Sequence, residues 1–220
     1  MKALRSAMLV GVLIIFGLVM FGLNRFPGTS ARSLAGAFTI LLLYSFISWR
    51  GPAMLFRQPA VVATVVLSLG LLAGAIFAGE VFLEYVVRPA ANTRFGYVEF
   101  GLVFLLYIGA GALVAYRRLP LRCSMMAGAG TAMIASLIWY IAVLASFHLF
   151  FGTESQAQVF RAEGEYEDFR RSGMADFPTF VMEDFLGAGF FHLLLGPVMS
   201  ALLAGAGGLL GRGLARFRKT

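Results

Sequence analysis

Five ionisable side chains interrupt otherwise apolar stretches: Glu80, Glu84, Glu99, His148 and His192. Glu80 and Glu84 stand one helical turn apart and share a face. Together with Glu183, Asp184 and a histidine they form a donor set of the kind that ligates a divalent metal. Neither a Glu-x-x-His nor a His-x-x-x-His pair occurs, so the simpler expectation is interfacial carboxylates paired with Arg88, Arg94 or solvent. His148 and His192 are the only histidines. Placed near the same ends of consecutive helices, they are candidate axial ligands for a haem iron or a chlorin magnesium, provided that their rings face one another or a pigment in an adjoining subunit. Otherwise they are interfacial groups bonded to backbone or carboxylates. No Gly-x-Ser-x-Gly, His-Glu-x-x-His or phosphate-cradling loop is present, and no residue is singled out as catalytic. The only lysines, Lys2 and Lys219, are terminal, which excludes a retinal Schiff base.

The elements that must position these groups follow from composition. Sixty per cent apolar and 13% charged residues exclude a soluble domain. Six apolar runs, at about 20 residues per bilayer crossing, predict an all-α polytopic membrane bundle over residues 7–23, 34–49, 60–87, 97–116, 126–151 and 187–210. The first run follows Lys2 and Arg5 but lacks a small-x-small cleavage site, so it reads as an uncleaved membrane helix and not a signal peptide. Gly51-Pro52 is expected to stop the second helix, and Gly196-Pro197 to kink the last. The net charge of +7 does not indicate nucleic acid, because the arginines lie between apolar runs, at the level of lipid headgroups. Cys123, the single cysteine, has no partner for an internal disulfide.

Six crossings put both termini on one side. That side carries 11 Lys and Arg residues against seven opposite, which predicts cytoplasmic termini in a bacterial-type inner membrane. Residues 152–186 form the one long polar loop, with eight of the eleven acids and three arginines. Ser155-x-x-Gln158 has capping-box spacing, and Val159, Ala162, Tyr166 and Phe169 recur at helical intervals. A short amphipathic helix from about Gln156 to Arg171 is therefore expected, with Tyr166 and Phe169 docking against the bundle ends or a protein partner. Asp176-Phe177-Pro178 reads as a cap and first-turn proline, so the last helix begins in the interface, before its apolar part. Glu163-Gly-Glu165-Tyr-Glu167-Asp168 reads as a solvated helix face or, more sharply, a surface for a basic partner.

Small residues recur at every fourth position: Gly70, Gly74 and Ala78; Gly128, Ala132 and Ser136; Gly196, Ser200, Ala204 and Gly208. Such stripes let helices approach closely in lipid, within one chain or between subunits. No ionisable or amide group is expected at the membrane centre, where ion-coupled carriers usually need one. These features predict an accessory or structural subunit of a membrane assembly, with a protein partner or a second copy. The alternatives are a small transporter or channel lined by Thr131, Ser136 and Ser200, and a protein binding a metal, haem or pigment in the outer leaflet.

Overall fold

The computed structural model describes residues 1–87 and 93–217, and all regular elements within them are helical. In chain order these are α1 (Lys2–Arg25), α2 (Ala31–Leu55), α3 (Ala60–Phe82, prolonged by a π-helical turn Leu83–Val87), α4 (Thr93–Tyr116), α5 (Leu121–Leu149), α6 (Glu154–Glu163), α7 (Glu165–Ser172) and α8 (Phe177–Phe217). Six of them, all except α6 and α7, are long and apolar enough to cross a membrane. The protein is thus a multi-pass helical membrane protein.

The helices run past the apolar stretches that announce them, because caps and interfacial turns continue the backbone into polar sequence. The Ser30 hydroxyl accepts from Ser33 N at 3.3 Å and starts α2 ahead of its apolar run. Pro52 does not stop α2 but lies inside its last turns. There the ring removes one ladder bond, while its own carbonyl still accepts from Phe56 N at 3.0 Å. Pro120 opens α5 at Leu121, five residues before the apolar run. The Asp176 carboxylate accepts from Thr179 N at 2.9 Å and caps α8, whose 41 residues reach about 60 Å, twice the hydrocarbon thickness.

The loop helix is two helices. Gly164, at φ 83°, takes the left-handed conformation open to glycine and ends α6 before α7 starts. The cap also sits two residues earlier than the sequence spacing suggests. Thr153 Oγ1 accepts from Gln156 N at 3.3 Å, whereas Ser155 donates to the Tyr85 carbonyl of the π-helical turn.

α5 and α8 lie antiparallel at the centre of the bundle, with α4 against α8 and α3 against α5. A Cβ on Gly128 would collide with Ala204 and the Ser200 backbone of α8. On the other flank of α8, Cβ atoms on Gly111, Gly207 and Gly211 would run into backbone carbonyls of α8 or α4. Gly70 and Gly74 meet Ile134 and Ile138 of α5, while Gly208 meets Leu121 and Ser124. Ala78, one turn beyond Gly74, is half-buried. The hydroxyls on these faces bond between helices: Ser200 Oγ to Gly128 O at 2.7 Å, Ser124 Oγ to Gly111 O at 3.0 Å, and Ser136 Oγ to His192 O at 3.3 Å. Leu202 and Leu209, on the opposite ridge of α8, are exposed and face lipid.

The α1–α2 hairpin covers the remaining side of α5 and α8. Pro197 has no N–H for the Leu193 carbonyl four residues earlier, and the buried Tyr44 of α2 supplies the donor at 2.8 Å.

Candidate functional site

The polar groups gather at the loop side of the bundle, where α6 and α7 fold back over the helix ends. Val159, buried on α6, packs into a cluster with Val81 and Tyr85. Gln156, 3% exposed, donates from Nε2 to Phe147 O at 3.0 Å and accepts from Gly152 N at 3.1 Å, which fastens α6 to the end of α5. Tyr166 stacks on Phe177 with ring centroids 4.4 Å apart, and Phe169 meets Phe177 and Phe180 edge-on and tilted. The apolar face of α7 is therefore committed to α8 of the same chain, and the rim beneath it holds a pocket of about 210 Å³. Arg25 lies over the Phe151 ring at 4.0 Å beside this pocket.

What the cap presents is negative. Glu80 and Glu84 of α3 and the π-helical turn, Glu99 of α4, Glu163 and Glu165 of the loop, and Asp184 of α8 converge on one region. The Glu80 and Glu99 carboxyls are neighbours across α3 and α4. Crowding by surrounding protein raises the Glu163 carboxyl to about 8, with added repulsion from Glu84, Glu165 and Asp184. Glu165 is raised to about 7, again first by burial and then by Asp184 and Asp168. Among the described residues the ion pairs lie within α6 and α7 alone: Arg161–Glu154 at 2.8 Å, Arg170–Glu167 at 2.8 Å and Arg171–Asp168 at 3.3 Å. Arg88 and the Arg94 side chain lie outside the described residues, as do Arg218 and Lys219.

The four candidate metal ligands divide between two places. Glu183 turns away from Glu80 and Glu84 toward the start of α2, where it accepts from Ser30 N at 2.6 Å, Ser30 Oγ at 3.0 Å and Ser33 Oγ at 2.8 Å. Asp184, its neighbour, points to the acidic cluster. No group of three potential metal donors comes together among the described residues.

The two histidines also separate. His148 Nε2 donates to Leu18 O of α1 at 3.1 Å, and its ring meets Phe21 edge-on at 5.0 Å. The His192 ring stacks on Trp139 at 3.9 Å while Nδ1 donates to Ala188 O at 3.0 Å. Trp139 precedes His148 by nine residues, about 13 Å along α5, so the rings lie at different depths. The expectation of equal depth fails because α8 begins ten residues before its apolar run, which carries His192 fifteen residues into the helix. Thr131, Ser136 and Ser200 are buried between α5 and its neighbours, with Ser136 and Ser200 engaged as donors to backbone carbonyls.

Tyr44, Gln156 and Trp139 were not singled out by sequence. A signal existed for Tyr44 alone, since a proline at 197 leaves the Leu193 carbonyl needing a donor from elsewhere. The fold and this cap define a polytopic membrane protein with a packed interior and an acidic covered end. Comparison with protein families, with curated proteins and with solved structures finds no match.

Proposed function

We propose that the protein is an accessory subunit of a membrane assembly, and that its acidic cap docks a basic segment of a different protein. The observation that carries this reading is the division of labour in α6 and α7. Their aromatic face packs against α8 of the same chain, while carboxyls from four parts of the fold lie in one region without a described basic partner there. A cationic segment relieves the repulsion that holds Glu163 and Glu165 upward. A second copy does not fit the same face, because a two-fold contact sets acid against acid. The excess of Lys and Arg at the other end supports cytoplasmic termini in a bacterial-type inner membrane, with the cap outside.

The test is site-specific photocrosslinking from Asp168 in native membranes, with the crosslinked peptides sequenced. A Lys- or Arg-rich segment of one neighbour should be captured, and the yield should fall sharply in Glu163→Gln/Glu165→Gln and at high salt. Capture that ignores both changes, or a protein that stays monomeric and uncrosslinked, rejects the proposal.

A further inference from the structure

The two helices of the cap are held in opposite ways. α6 is fastened to the bundle: Gln156 bonds to Phe147 O and Gly152 N, Ser155 donates to the Tyr85 carbonyl, and Val159 and Phe160 are buried. α7 contains no buried residue. Among the described residues its ion pairs, Arg170–Glu167 and Arg171–Asp168, and its side-chain hydrogen bonds stay within the helix or the turn that follows it. The described links from α7 to α8 are ring contacts, Tyr166 on Phe177 and Phe169 on Phe177 and Phe180.

Both ends of α7 are glycine joints. Gly164 at φ 83° and Gly173 at φ 71° hold the left-handed conformation, and a Cβ on Gly173 would meet nothing within 4 Å. Backbone dihedrals at such points change without displacing a neighbour. Residues 174–176, which join Gly173 to α8, are not helical and give the second joint slack. α7 also lies over a cavity. Tyr166 lines the pocket of about 210 Å³ together with Phe160, Phe177 and Val181, and Val181 is completely closed to solvent.

We infer that α7 is a hinged lid on this pocket. It swings on Gly164 and Gly173 as a unit, lifts Tyr166 and Phe169 off Phe177 and Phe180 and opens the pocket, while α6 stays docked. Local opening is easiest where few contacts are buried, which separates α7 from α6. The motion belongs to the isolated chain, so it stands whether or not the acidic cluster docks a partner.

The test uses the full chain in mild detergent, with Cys123→Ala removing the native thiol. One new cysteine is placed at Val181 or at Met182, and its reaction with a water-soluble methanethiosulfonate is timed. Both positions are completely buried and adjacent on α8, but Met182 packs over Gly22 of α1 and does not line the pocket. Val181→Cys should react about ten-fold faster than Met182→Cys or more, because it waits only for the lid. Adding Tyr166→Ala should speed Val181→Cys about ten-fold, the weight of one aromatic pair with its buried area, and leave Met182→Cys unchanged. In the unmodified chain, amide hydrogen exchange should be about ten-fold faster over 165–172 than over 154–163. Equal labelling at the two positions, an equal effect of Tyr166→Ala on both, or exchange of α6 and α7 at one rate overturns the proposal. If a cysteine variant fails to fold, hydrogen exchange decides: Tyr166→Ala should raise it in α7 and not in α6, and a joint rise rejects the lid.

Discussion

The two flanks of α8 are held by different means. Toward α4 and α5 the helices touch backbone to backbone: Gly111, Gly128, Gly207 and Gly211 leave no room for even a methyl group, and Ala204 is completely buried between the two neighbours. Toward α1 and α2 the contact is made by large side chains and a few polar links. Met182 fills the space over Gly22, Tyr44 reaches the Leu193 carbonyl, and Glu183 caps α2. Half of the apolar window of α5 is buried inside the bundle, against 22% for α1 and 28% for α2. A lipid-exposed helix has little hydrophobic reason to stay attached, since lipid is as apolar as its neighbours. Close small-residue packing therefore holds α4, α5 and α8 backbone to backbone, whereas the hairpin is held by interlocking side chains such as Ile15, Val19, Ile40 and Tyr44 and by a few individual bonds.

The largest effect should come from the rigid flank. In Gly111→Ala the added Cβ meets the carbonyl, carbonyl carbon and Cα of Ala204, all backbone atoms that cannot rotate aside. Overpacking usually costs about 1–3 kcal/mol, and this substitution should lie at or beyond the upper end. Gly208→Ala should cost less, because its nearest neighbours at 2.8 Å are the ends of Leu121 and Ser124 side chains. Gly101→Ala, with nothing within 4 Å, is the control. Equilibrium unfolding in detergent should rank the three in that order. Equal stabilities for Gly111→Ala and Gly101→Ala would mean that the backbone seam does not hold α4 to α8.

An intermediate effect should come from the hairpin. Tyr44→Phe leaves the Leu193 carbonyl buried without its donor, at a cost of about 0.6–1.7 kcal/mol for an interhelical bond in a membrane protein. Pro197→Ala gives that carbonyl a donor within α8, so the same Tyr44→Phe change should cost less than half as much in the Pro197→Ala background. A double-mutant cycle measures the difference. If the two effects add within about 0.3–0.5 kcal/mol, Tyr44 is packing and not a replacement for the bond that Pro197 removes.

How much of this was legible in the sequence differs between the two flanks for a physical reason. Hydropathy reports transfer to lipid, so six crossings could be read from it, and the every-fourth spacing of Gly196, Ser200, Ala204 and Gly208 marked a close-packing face. The partners of that face were not readable, because Gly128 and Ser124 of the antiparallel α5, and Gly111 of α4, meet it only once the helices are in register. Boundaries were misjudged where polar sequence stays helical. The ten residues Phe177–Leu186 belong to α8, as the Asp176-Phe177-Pro178 cap announced, but the depth expected of His192 took no account of them, and their role as the platform on which Tyr166 and Phe169 rest had no signal of its own. The acidic loop announced its charge, yet the separation of Glu183 from Asp184 depends on helix rotation, which puts adjacent residues about 100° apart.

The smallest effect concerns the cap and sharpens the contrast between the two ends of the molecule. Glu163 is raised to about 8 and Glu165 to about 7, by burial first and by neighbouring carboxylates second. A carboxyl whose folded-state value lies above its unfolded value of about 4.3 binds its proton more firmly in the folded form. Stability of the cap is therefore highest at low pH and declines as pH rises from about 4.5 through 8, the reverse of an ion-paired acid. Protease cleavage between Gly164 and Gly173 should accelerate over that interval, while emission from Trp49, at the end that has no acids, should stay level. Glu163→Gln should flatten most of the cleavage response, since an amide is a neutral substitute of the same shape. A slope that survives Glu163→Gln together with Glu165→Gln would place the titration elsewhere. A Trp49 signal that follows the cleavage would show that the two ends respond as one body, and the division drawn between a charged cap and an independent basic end would fall with it.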